Sequence, residues 1–265
     1  VVADTLARDP DWVNQRGGPL AMPPLISVTH SSLILEPEFE APLLACAKLL
    51  LRHGADPNAA WIDPRSPDFP LSALYGAAGR IHHIAMTKLL LEAGADPNDN
   101  ESLYHSVEAR DPTCTEMLLD AGAHVTGTNA IGRVIDYDKL EVLQLLLRRG
   151  GDANERPWIH HAILRGRSLK HILALREAGA DLRATNEDGI SVYRWAEMNG
   201  REDVVNMLRE AGITEELTTE EAFTAACTRG DEAGARAILE HVPNIYTRLT
   251  ESQLHDRPIG LDRAR

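Results

Sequence analysis

Leu49-Leu50-Leu51-Arg52-His53-Gly54-Ala55-Asp56-Pro57-Asn58 returns further along the chain as Leu89-Leu90-Leu91-Glu92-Ala93-Gly94-Ala95-Asp96-Pro97-Asn98. The phrase reads as a helix end. Leucines pack inward, polar residues follow, and glycine takes the left-handed conformation that other residues reach only at a cost. Asp-Pro-Asn then supplies a turn. Weaker copies run from Leu118 to His124, Leu145 to Asn154, Leu175 to Asp181 and Leu208 to Gly212. Gly54, Gly94, Gly122, Gly150, Gly179 and Gly212 are separated by 40, 28, 28, 29 and 33 residues.

Upstream of each of these glycines lies a shorter apolar helix. Its core anchors are Leu74, Leu103, Ile131, Ile159 and Tyr193, each followed three residues later by Ala77, Ser106, Val134, Ala162 or Ala196. Small or compact residues at that spacing let two helices approach closely. One such pair buries only a fraction of its apolar face and needs neighbours on both sides.

The segment Asn186-Glu187-Asp188-Gly189-Ile190-Ser191-Val192-Tyr193-Arg194-Trp195-Ala196 resembles the D-x-x-G-x-T-P-L-H-x-A pattern of ankyrin repeats. Ser191 stands for threonine, while Val192, Tyr193 and Arg194 depart from P-L-H; Pro24-Leu25 keeps some of it elsewhere. The spacing centres near the ~33 residues of that repeat. The resemblance covers roughly residues 1 to 243. It implies an all-α, ankyrin-type α-solenoid of helix-turn-helix repeats with turn or hairpin fingers. The expected organisation is one repeat domain over 1–243, with 244–265 as a tail or the start of a further repeat.

Several segments are irregular. Val1 to Asn14 resembles the second helix of a leading repeat, with Leu6, Trp12 and Val13 apolar, and Thr218 to His241 makes a final pair around Gly230. Leu35 to Pro42 and Ala59 to Pro70 read as insertions from which prolines exclude regular helix. Phe39, Trp61, Ile62 and Phe69 are costly to leave in water, so at least one insertion is expected to fold back. A short helix is expected near Thr250 to His255.

Composition narrows the function classes. Hydrophobic residues make up 43% and aromatics only 5%, which suits helix-on-helix packing. Lysine plus arginine total 27 against 40 acidic residues, a net charge of −13 that repels phosphate backbones and anionic membranes. No nucleic-acid or membrane partner is expected. Without a signal or spanning segment, the chain reads as cytoplasmic. Cys46, Cys114 and Cys227 match no zinc spacing and read as reduced core residues.

Motifs for chemistry are sparse. The doublets His82-His83 and His160-His161 point about 100° apart on a helix and cannot share a metal without partners elsewhere. Ser32, Ser106, Cys114 and Cys227 sit in no recognised nucleophile setting. Glu101 beside Tyr104 and His105 suits either an acid–base pair or a helix start, and the helix start is preferred. Gly17-Gly18 and Gly150-Gly151 are turns, since neither continues into a phosphate loop. No cofactor, metal or catalytic residue is assigned.

The expected site follows from register. Two residues beyond each anchor, a side chain turns about 200° from the packed face, toward the concave side in ankyrin geometry. Those positions are Gly76, His105, Arg133, His161 and Trp195, with Tyr104 and Trp158 adjacent. Read functionally, Gly76 opens the floor, Arg133 holds an anionic group, His105 and His161 hydrogen-bond or titrate, Trp195 supplies an apolar or stacking wall, and Tyr104 and Trp158 flank the strip. Read structurally, these are scattered surface residues. The leading function is a scaffold binding another protein or peptide, an acidic one included, through its groove. The alternative is a small-molecule receptor or enzyme using the same floor, for which a small anionic ligand would fit.

Overall fold

The computed structural model describes residues 1–64 and 67–249. The expected helix at Thr250 to His255 lies outside them. The chain divides into two compact units, Val1–Asp152 and Ala153–Arg265.

In the first unit, helix pairs follow one another. Pro24–Thr29 pairs with Pro37–Arg52, the wide π-helical turn Tyr75–Arg80 with Ile84–Glu92, Ser102–Ser106 with Thr113–Asp120, and Ala130–Asp136 with Leu140–Arg148. The second unit continues with Trp158–Leu164 and Leu169–Glu177, Val192–Met198 and Glu202–Glu210, and Thr219–Arg229 and Glu232–His241. Ahead of the first pair, Val2–Arg8 and the 3₁₀ turn Pro10–Asn14 bury Leu6 and Val13.

All six marked glycines have positive φ, from 71° to 96°. Each closes its helix in the same way. At Gly94, the Gly94 N–H donates to Leu91 O and the Ala95 N–H to Leu90 O, both at 3.0 Å. This pair of bonds satisfies the last carbonyls of a helix ending in a left-handed residue. Four residues before each glycine stands Leu50, Leu90, Leu118, Leu146, Leu175 or Leu208, none more than 1% exposed. The first-helix anchors and the compact residues three positions on are likewise buried.

The turn asparagines have a further role. Asn14, Asn58 and Asn98 each donate from Nδ2 to the carbonyl of the next repeat's glycine and accept the N–H two residues beyond it. For Asn58 the partners are Gly94 O at 3.3 Å and Asp96 N at 2.7 Å. Asn154 does the same within the second unit, toward Gly179 and Asp181. At the corresponding place Thr126 accepts one bond, from Asp152 N–H at 3.3 Å. An amide carries a donor and an acceptor, so it can bridge both backbone groups; a hydroxyl on a shorter arm cannot reach both.

The insertions resolve differently. Pro37 opens a sixteen-residue helix as its first residue, and Pro42 lies inside that helix, contrary to the expected break. Pro at the first position loses nothing, and Pro42 sits on the exposed N-terminal half, where a missing backbone bond costs less than in a buried turn. Ala60–Ile62 and Pro70–Ser72 pair as a two-stranded antiparallel hairpin. Trp61 folds back from it, 5% exposed, with its indole N–H on Leu20 O at 2.8 Å. Phe39, Ile62 and Phe69 stay exposed.

Candidate functional site

Within the first unit, successive first helices bring aromatic and charged side chains into one half-buried cluster. Gly76 does not open it. The His30 ring lies 2.2 Å from where a Cβ on Gly76 would be, so this glycine is filled space. His30 donates from Nε2 to Ser72 O at 2.8 Å, and burial lowers its pKa and keeps the ring neutral. Gly79 lets the next contact form: a Cβ there would stand 2.8 Å from the Tyr75 ring and 3.1 Å from His105 Cβ. The Tyr75 ring consequently meets His105 edge-on at 5.4 Å.

His105 stands between two carboxylates. Its Nδ1 is 2.8 Å from Glu108 Oε1, and its Nε2 is 3.3 Å from Glu101 Oε2. Burial alone would lower its pKa, but the bonds to Glu101 and Glu108 outweigh burial and raise it. Burial pushes Glu108 up, and Arg133 and His105 together bring it below its ordinary value. Arg133 places Nε 2.8 Å from Glu108 and lays its guanidinium against the rings of Tyr104 and Tyr137, each centroid 5.0 Å away. Lys139 donates to Val107 O at 2.7 Å and to Ala109 O, tying down the loop after the first helix.

The expected anion grip of Arg133 is therefore already taken by Glu108. Tyr104, His105 and Arg133 do come together, as one ion-paired and stacked group. Of the residues expected in the second unit, Trp158 is buried at 4% rather than flanking a strip. His161 and Trp195 are half-buried. Trp195 donates its indole N–H to His160 O at 3.0 Å. His160 itself sends Nε2–H to Ile190 O at 2.9 Å, and burial lowers its pKa.

The other candidates have structural duties. His82 bonds Ala78 O, and His83 caps the helix Ile84–Glu92 by accepting the Met86 N–H. Among the described residues, no group of three or more His, Cys, Asp or Glu is placed to hold a metal. Cys114 is buried and Cys46 half-buried, but Cys227 is exposed and not the core residue expected. No helix among the described residues is long and apolar enough to cross a membrane.

No protein-family model matches the chain, and no curated protein matches it by sequence. Solved structures do match. The ankyrin repeat domain of Bcl-3, a member of the IkappaB protein family, is 22% identical, over 74% of this chain and 88% of that one, with a TM-score of 0.57. An ankyrin repeat domain from Acinetobacter baumannii AYE is 21% identical, over 72% of this chain and 98% of that one, with a TM-score of 0.59. The fold is the ankyrin-repeat fold.

Ankyrin register explains which partners of the cluster were readable. Glu101 and Glu108 lie four before and three after His105, and Tyr137 lies four after Arg133; these are the spacings at which helix neighbours meet. Tyr75 and Lys139 carried no such signal. Tyr75 reaches His105 only because the π-helical turn and Gly79 remove the intervening bulk. In the second unit, the ankyrin frame also gathers Tyr193, Glu197, Arg209 and Arg229, with Glu197 four residues after Tyr193.

Proposed function

We propose that this ankyrin-repeat chain is a protein-binding scaffold, and that the Tyr104, Arg133 and Tyr137 side chains of the first unit belong to its recognition surface. The observation that carries the reading is a guanidinium held against two tyrosine rings while its Nε bonds a half-buried carboxylate. Tyrosine and arginine are the side chains that most often dominate protein interfaces, and fixing their rotamers beforehand lowers the entropy lost on binding. The Glu108 pair neutralises Arg133. A partner is therefore recognised here by apolar and aromatic contact and by hydrogen bonds to the tyrosine hydroxyls, more than by its negative charge. This shifts the reading away from an acidic peptide or small carboxylate at this place. The test is capture from an extract of cells that express the protein, with the wild type beside Tyr104→Ala/Tyr137→Ala. The wild type should retain a protein that the double variant loses, with melting temperatures alike. Identical retention by both would place the recognition surface elsewhere.

A further inference from the structure

His105 serves two acceptors with one ring. Glu108 Oε1 lies 2.8 Å from its Nδ1, and Glu101 Oε2 lies 3.3 Å from its Nε2. Both contacts are hydrogen bonds only while the ring is protonated, because imidazolium carries two N–H donors and neutral imidazole carries one. Loss of a single proton leaves one carboxylate facing a bare nitrogen lone pair.

Which carboxylate loses its donor depends on what else holds it. Glu108 is fixed by the neighbouring first helix, whose Arg133 donates to the same Oε1 from Nε at 2.8 Å and from Nη2 at 2.5 Å. It cannot withdraw, so a lone pair on Nδ1 would be pressed against it. Glu101 stands at the N-cap of the helix Ser102–Ser106, and among the described residues its carboxylate pairs with His105 alone. It can turn into water. The neutral ring therefore keeps its proton on Nδ1, and the longer contact, at Nε2, is the one that opens.

The other groups around the ring do not replace the lost donor. Tyr75, from the turn Tyr75–Arg80, and Tyr104, from the same helix as His105, meet it edge-on at 5.4 and 4.8 Å. Arg80 acts electrostatically on Tyr75 and Asp136 on Tyr104, while the Lys139 ammonium is spent on Val107 O and Ala109 O. Burial raises the pKa values of both tyrosines, and Glu101 is among the charges that add to the rise, so its field reaches both rings.

We propose that Glu101 is a pH-operated arm of the first unit, docked on His105 while the ring holds two protons and released into solvent beside Tyr75 and Tyr104 once it holds one. Its effect on binding rests on the recognition surface proposed for Tyr104, Arg133 and Tyr137. Docked, Glu101 and Glu108 are balanced by His105 and Arg133. Released, Glu101 leaves one net negative charge and a mobile side chain beside Tyr104. A partner held there by apolar and aromatic contact accordingly binds less tightly as pH rises through the raised His105 pKa.

The test needs no partner. In the full chain, nitrogen-labelled histidine and carbon-labelled glutamate are followed by NMR from about pH 6 to about pH 9, through the ordinary histidine value and above it. Neutral His105 should show the Nδ1–H tautomer. The Glu101 carboxyl carbon should shift, and its side chain become mobile on the ps–ns scale, with the same midpoint as the ring. In Glu101→Gln, an amide N–H can donate to the bare Nε2 and the amide oxygen can accept from the protonated ring, so the side chain at position 101 should stay ordered throughout. A neutral ring protonated on Nε2, or a Glu101 side chain equally ordered on both sides of the His105 midpoint, would overturn the switch. So would release of the Glu101→Gln amide with that midpoint. Each of these results leaves the recognition surface standing, whereas a partner retained equally by Tyr104→Ala/Tyr137→Ala removes that surface and leaves the switch.

Discussion

The helices Ser102–Ser106 and Trp158–Leu164 occupy the same place in their repeats; His105 on the first and His160, one of two histidines on the second, end in opposite states. His105 meets two carboxylates and its pKa rises; His160 meets a backbone carbonyl in the core and its pKa falls. One residue of register separates these outcomes. His105 stands two positions beyond its anchor Leu103, on the far side of the helix, whereas His160 follows Ile159 directly and turns toward the neighbouring repeat. For these two residues the offset from the anchor separates a half-buried ring held between carboxylates from a core hydrogen-bond donor.

The largest way to break the comparison is His160→Ala. It removes a buried ring and the donor to Ile190 O, and should destabilise the protein by about 2–4 kcal/mol in urea unfolding. A loss below about 0.5 kcal/mol, the scale of a surface change, would mean that His160 is not a core element.

Glu108→Gln comes next. It weakens the acceptor shared by His105 and Arg133 and should cost about 1–2 kcal/mol. The His105 pKa, followed by proton NMR, should drop toward the ordinary value while that of His160 stays put. A shared shift would show the two environments to be linked.

Titration sharpens the contrast further. His30 and His160 have lowered folded pKa values, so their contribution is complete above about pH 6.5 and is lost as pH falls through those lowered values. His105 has a raised folded pKa; its contribution is complete below about pH 6.5 and is lost as pH rises through the raised value. Unfolding free energy against pH should therefore fall on the acid side, and His30→Gln/His160→Gln should flatten that limb. An acid limb unchanged in the double variant would assign it to carboxylates. The smallest effect belongs to Glu101→Gln, whose bond to His105 is longer and leaves Arg133 untouched; under about 0.5 kcal/mol is expected.

Most of the fold was readable because repetition multiplies a weak signal. Six leucine-glycine helix ends give one register, and that register alone places the buried leucines and anchors. The departures come where one local rule met a wider context. Pro42 lies in the exposed first half of its helix, where the lost bond is cheapest and the packed second half, with Ala47 and Leu50 buried, holds the helix together. Trp61 follows no repeat position, so its indole bond to Leu20 could not be placed from the pattern. For the candidate site, offset from the anchor selected Tyr104, His105 and Arg133, but offset says nothing of who neutralises a charge. Glu108 decides that Arg133 is paired rather than waiting. Arg209 and Arg229 were invisible for a related reason: they meet Glu197 from the ends of two different helices, where no single periodicity joins them.

The asparagine bridges make the stack a chain of fasteners, each closing one turn onto the next with two bonds. Thr126 is the exception within the first unit, a fastener with one 3.3 Å bond. A load applied along the stack passes through every fastener in series, and a series yields at its weakest member. Of the bridged turns in that unit, the junction between Thr126 and Asp152 is where stretching would first separate neighbouring repeats, leaving the three Asn-clamped turns before it closed.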